Sequence, residues 1–338
     1  MTPAGPNDDQ PVAPEPEAAP TPSQDEPASE PTPEIYAEPA SALEHPSNLY
    51  AWPHAQQPLA SMEAIPVPPP SPPRLIPNIG HALVFFLLFV PDLIFGAILS
   101  FIGALLFLHP ANPRAVLGAI AHNVTFAIVM QAVSYGIVWG LAALVFTLWW
   151  RRPFAEGIHW NLATARRWFF RLLFIGMATG LLITLAGSFV PMPKAPPILE
   201  DLTKSQLGAW MLMVFGITIA PLTEELAFRG FLLPGLVNIF RWLERKQMIG
   251  EQATRYFGIP LAIVLTSIPF ALLHAQQVSD SWGPVLLIGL VSVVLCIVRL
   301  RTNSVACGIV VHAAYNSTLF VSLLFQTDAF RHLTKLKT

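Results

Sequence analysis

A chain of 338 residues that is 53% hydrophobic and only 12% charged carries about half the charge of an average soluble domain. It also contains repeated apolar runs of about 20 residues, the length a helix needs to cross a bilayer. These features exclude a soluble enzyme and predict an all-α, polytopic helical membrane bundle of about seven to eight spans, because only helices and closed barrels satisfy their backbone in lipid. The formal net charge of −2 hides an asymmetry: residues 1–80 hold eleven acids and one base, the remainder ten acids and eighteen bases. A basic membrane part is expected where loops face anionic lipid, so the predicted environment is the lipid bilayer and no nucleic-acid partner is expected.

Residues 1–78 read as a disordered tail. They hold 21 of the 34 prolines, interleaved with Ala, Glu, Ser and Gln, and cannot bury enough apolar surface to offset their ordering entropy. Pro66–Pro73 reads as polyproline II, a semi-rigid spacer. No basic start followed by an apolar core marks a signal peptide. Cys296 and Cys307 form no CxxC and read as buried apolar residues.

Seven spans follow, at about 82–108 (interrupted at Pro91-Asp92), 120–148, 170–190, 206–236, 259–276, 283–300 and 304–325. An interfacial helix is expected within 154–168, with Trp160 and Trp168 at headgroup level. The domain reading is a tail over 1–78, N-terminal transmembrane helices over 79–148, a core over 149–326 and a short C-terminal tail over 327–338. Loop bases set the orientation. Arg151, Arg152, Arg166 and Arg167 fall in one loop, Arg241, Arg245, Lys246 and Arg255 in another, and Arg299 and Arg301 between the last two spans. These loops and the N-terminal tail are expected on the cytoplasmic side of a bacterial plasma membrane. Seven spans then put Arg331, Lys335 and Lys337 outside, against the same rule.

The fourth span carries charges where lipid is expected: Ala220-Pro-Leu-Thr-Glu-Glu-Leu-Ala-Phe-Arg-Gly230. Charges at that depth are costly and mark functional-site candidates. Glu225 and Arg229 are four apart and pair on one helix face. Glu224 points about 100° away and has no partner in its own helix, while Pro221 loosens the backbone beside it. Two later spans carry polar insertions, Phe270-Ala-Leu-Leu-His274 and His312-Ala-Ala-Tyr-Asn316. His312 and Asn316 share a helix face. Phe270 reads as packing, and Asp92 as the cap of a broken helix.

A carboxylate and an imidazole can activate a water, and a second imidazole with an amide can donate to an oxyanion. No GxSxG serine and no Cys beside His supports a covalent nucleophile. Glu224, His274 and His312 could alternatively ligate zinc, although HExxH is absent.

Taken together, Glu224-Glu225-x-x-x-Arg229, Phe270-x-x-x-His274 and His312-x-x-x-Asn316 resemble the three motifs of the CPBP (Abi) intramembrane endopeptidases, relatives of the type II CAAX prenyl endopeptidases. The order and the placement in separate late spans match over roughly residues 150–325. The resemblance implies hydrolysis of a peptide bond in a membrane-anchored protein or peptide, lipidated in the prenyl-processing relatives. It implies Glu224 as general base, Glu225 and Arg229 as the pair that positions it, His274 sharing water activation, and His312 with Asn316 stabilising the oxyanion. A metal-free site is favoured, with no cofactor; zinc on Glu224, His274 and His312 is the alternative. A proton-coupled transporter and an idle immunity or scaffold relative are the other readings.

Overall fold

The computed structural model describes residues 75–191 and 205–333. The expected tail and its polyproline stretch therefore lie outside the described residues, as do Lys194, Lys204, Lys335 and Lys337. Among the described residues every regular element is helical, and seven helical segments are long and apolar enough to cross a membrane, as expected. The protein is an integral membrane protein.

The first span is two helices, α1 (Ile79–Leu87) and α2 (Phe89–Phe107). The break at Leu88 falls three residues before Pro91, which has no N–H for the preceding turn. Asp92 does not cap it: α2 has no side-chain cap, and Asp92 instead accepts from the Ser134 hydroxyl on α4 (Val124–Trp150). A short α3 (Val116–His122) precedes α4. The expected interfacial helix is two pieces, α5 (Phe154–Gly157) and α6 (Leu162–Arg167), before α7 (Phe169–Gly187).

The fourth span covers Gln206–Arg245, 40 residues. As one straight helix it would run about 60 Å, twice the hydrocarbon thickness. It is instead segmented into α8 (Gln206–Ile217), α9 (Ile219–Glu225), a π-helical stretch at Leu226–Leu232 and α10 (Leu233–Arg245). Pro221 explains the first break, since it denies the Ile217 carbonyl its helical donor. The π turn falls on the charged motif, where such bulges concentrate. The last spans contain α11 (Ile259–Leu273), α12 (Trp282–Thr302) and α13 (Val305–Thr327). Arg299, read as a loop base, instead lies inside α12, which continues to Thr302, and is buried.

Two packing devices place the motif helices. Aromatic rings bring the first two spans onto the π segment: Phe85 of α1 stacks on Phe231 at 4.3 Å between centroids, and Phe146 of α4 meets the same ring at 4.6 Å. Small residues bring α7 onto α13. A Cβ built on Gly176 would stand 2.3 Å from the Val311 carbonyl oxygen, and one on Gly180 would stand 2.1 Å from Thr318 Oγ1. Gly176-x-x-x-Gly180 is thus a small-residue stripe that lets two backbones touch, the main source of helix association where lipid removes the hydrophobic drive. The N-terminus of α13 is tied down as Val305 N donates to His159 O at 3.2 Å and Ser304 Oγ donates to Asn161 O at 3.0 Å.

Gly176→Val should force α7 away from the Val311 backbone and lower stability by about 1–3 kcal/mol. Thermal unfolding in detergent checks this against Leu182→Ala, a lipid-facing change on the same helix that should be near neutral.

Candidate functional site

The site begins with a charge pair inside the bundle. Glu225 and Arg229 are both fully buried, and Arg229 Nη1 donates to Glu225 Oε1 at 2.9 Å. The guanidinium is held from three further directions. Nη2 donates to the Ser292 carbonyl at 3.0 Å and to its hydroxyl at 2.7 Å, and the Phe270 ring lies 4.4 Å from the guanidinium carbon. A buried charge is tolerated when it is paired and hydrogen-bonded in this way. Gly308 of α13 makes room for the carboxylate, since a Cβ there would be 2.6 Å from Glu225 Oε2.

Glu225 then orients a histidine. His312, buried on α13, meets Glu225 Oε1 through Nδ1 at 3.0 Å. His274, at the C-cap of α11, meets the Phe270 carbonyl through Nδ1 at 2.9 Å. Both Nδ1 partners are acceptors, so both Nδ1 atoms carry the proton, and in its neutral form each ring presents an Nε2 lone pair. Both Nε2 atoms face Glu224: His274 Nε2 is 3.7 Å from Oε1 and His312 Nε2 is 3.7 Å from Oε2. These separations are too long for direct hydrogen bonds. The Glu224 and His274 side chains are 22% and 19% exposed, against 4% for His312, so the cluster opens on the Glu224–His274 side.

The structure thus brings Glu224, Glu225, Arg229, His274 and His312 together from three separate spans. Asn316 is engaged elsewhere: its amide donates to the Gly216 carbonyl at 2.6 Å. That carbonyl is one of those left without a helical donor at the end of α8, so Asn316 secures the broken fourth span. Phe270 does more than fill space. Its ring covers Arg229 and approaches both imidazoles, at 5.0 Å to His274 and 5.9 Å to His312. Two residues of this neighbourhood were not singled out by the sequence. Ser292 is one polar residue in an apolar run and carries no distinguishing pattern. Tyr135 of α4 stacks on Phe215 and lies within electrostatic reach of both Glu224 and Asp92; only its place in a transmembrane segment could have drawn attention.

Residues 206–318 match the family model described as type II CAAX prenyl endopeptidase Rce1-like. The resemblance read from the three motifs is borne out over this segment, which contains all of them. No curated protein and no solved structure matches the chain. The matched family is a protease family, which supports a peptidase in general and suggests a membrane-associated protein substrate.

Removing the guanidinium with Arg229→Met leaves Glu225 charged and buried, and should cost about 3–5 kcal/mol. Ser292→Ala keeps the carbonyl contact and should cost about 1 kcal/mol. Thermal unfolding of the two variants in one detergent checks the ranking.

Proposed function

We propose that the protein is an intramembrane endopeptidase that hydrolyses a peptide bond in a membrane-anchored, CAAX-type protein or peptide, with water activated by Glu224 and His274. The observation that carries this reading is the meeting of three lone-pair donors, the Glu224 carboxylate and the two Nε2 atoms, at distances that leave them without direct hydrogen bonds. Glu224 Oε2 has no hydrogen-bond partner among the described residues. A water supplies the O–H groups that such a set needs, and donates to the carboxylate and an imidazole at once.

In this reading Glu224 takes a proton from the water as the water oxygen bonds to the substrate carbonyl carbon. The carbonyl oxygen becomes an oxyanion. It is met by the second N–H of the Asn316 amide, the one that the Gly216 carbonyl does not hold, while His312 stays oriented through its Nδ1 contact with Glu225. The C–N bond then breaks, and the proton held by Glu224 passes to the leaving amine. Glu225 and Arg229 touch no reacting atom and act as positioning residues. Phe270 and the surrounding apolar walls limit the solvent around the bond being cut.

The donor types of Glu224, His274 and His312 would suit zinc. As placed, however, the two imidazoles address different oxygens of one carboxylate. Among the described residues no group of His, Cys, Asp or Glu is arranged to hold a metal ion. We keep the metal-free reading, in which no step is routed through a metal.

Glu224→Gln should keep the wild-type melting temperature and lose about 10²–10⁴-fold in rate, the usual weight of a general base. The assay is cleavage of a prenylated CAAX peptide by the full chain in detergent, with and without a chelator. Loss of wild-type activity on chelation, restored by zinc, would contradict the water-only reading. Equal cleavage by Glu224→Gln and wild type would remove Glu224 from the chemistry.

A further inference from the structure

A second cluster of cations lies at the basic end of the bundle, where α4, α10 and α12 finish and α13 begins. A cavity of about 430 Å³ opens there, lined among others by His159, Arg241, Arg245, Arg299 and Asn303, and by no Asp or Glu among the described residues. Its volume falls in the usual range for small-molecule sites, about 300–1,000 Å³. Arg299 is only 4% exposed. Its hydrogen bonds run to neutral acceptors: Nε to the Arg229 carbonyl at 3.0 Å, Nη1 to Asn303 Oδ1 at 3.0 Å, and Nη2 toward His159 Nδ1 at 3.4 Å. No carboxylate pairs with Arg299 or Arg241 among the described residues. The contrast with Arg229 is direct, since Arg229 is equally deep but has Glu225.

A buried guanidinium without a counter-charge is costly, and two N–H groups of Arg299 remain uncommitted. Burial first, and then the charges of Arg299, Arg241 and Arg152, hold the His159 pKa below its usual value. His159 therefore accepts from Arg299 as a neutral ring and leaves the positive charge uncompensated. An anion entering the cavity meets a buried arginine fork, the exposed Arg241 and the Asn303 side chain. Planar guanidinium forks bind phosphate through paired N–H bonds, and basic pockets between transmembrane helices at the cytoplasmic face take lipid headgroups.

We infer that the cavity formed by His159, Arg241, Arg299 and Asn303 is an anion site that binds a phosphate group, carried by a lipid headgroup or free in solution. The site abuts the motif helix, because Arg299 Nε holds the carbonyl of Arg229 itself. It is separate from the water-activating cluster and stands on its own observations.

The full chain in neutral detergent tests this with two probes. Native mass spectrometry compares retention of phosphatidylglycerol with phosphatidylcholine, and thermal unfolding compares inorganic phosphate with chloride at equal ionic strength. The variants are Arg241→Gln, Arg299→Gln and, as a surface control, Arg166→Gln. Wild type should retain phosphatidylglycerol selectively or be stabilised by phosphate. Arg241→Gln and Arg299→Gln should each weaken that binding about tenfold, the loss of one charge-assisted hydrogen bond, with Arg166→Gln unchanged. Retention of the lipid without a phosphate effect assigns a headgroup, and the reverse assigns free phosphate. If Arg299→Gln fails to fold, Arg241→Gln, at an exposed position, decides alone. The inference is overturned if neither probe binds, if Arg241→Gln binds like wild type, or if Arg166→Gln weakens binding equally.

Discussion

The buried pair of Glu225 and Arg229 is the constraint on which the rest of the site depends. Two opposite charges lie fully out of solvent in a bundle that otherwise offers lipid. Their contacts hold them there: Glu225 Oε1 receives Arg229 on one side and the His312 ring on the other, and Arg229 spends Nη2 on Ser292. The His312 and Ser292 contacts cross to other spans, so the pair ties the π turn of the fourth span to α12 and α13 together. Losing one member leaves the other as an uncompensated charge, a larger penalty than the pair's own net stabilisation. The pair therefore sets where the helices meet before any substrate is present.

Irregular backbone and the site coincide for the same reason. A straight helix over 40 residues would overrun the membrane, and the break at Thr218 and the π turn divide it. Adjacent residues on a helix point about 100° apart, so Glu225 faces the arginine while Glu224 faces the histidines. The freed carbonyls then need donors, and Asn316 and Arg299 supply two of them, at Gly216 and Arg229. In lipid an unsatisfied backbone group costs several kcal/mol, so broken helices persist only where side chains from neighbours complete them.

Much of the fold was legible in the sequence because lipid imposes length and apolarity on each span, and seven such runs are present. The meeting of Glu224, Glu225, Arg229, His274 and His312 was also legible, since polar groups at membrane depth have few partners besides each other. What the sequence could not convey was how each group spends its hydrogen bonds. Asp92 beside Pro91 has the pattern of a helix cap, yet its partner is Ser134, 42 residues away. Arg299 two residues from Arg301 has the pattern of a loop charge, yet the helix extends past it and buries it. Asn316 shares a face with His312, yet its amide reaches the broken end of α8. In each case a long-range contact outweighed a local pattern.

The account's central claim is that a water joins Glu224 to the two imidazoles. The most direct measurement is an experimental density map of the wild-type protein at a resolution that shows ordered solvent. A solvent peak should stand about 2.7–3.0 Å from a Glu224 oxygen and from at least one Nε2 atom. A peak about 2.0–2.1 Å from all three groups, the spacing of a zinc shell, would contradict the claim. So would a collapsed site in which an Nε2–H bonds Glu224 directly and leaves no room for water.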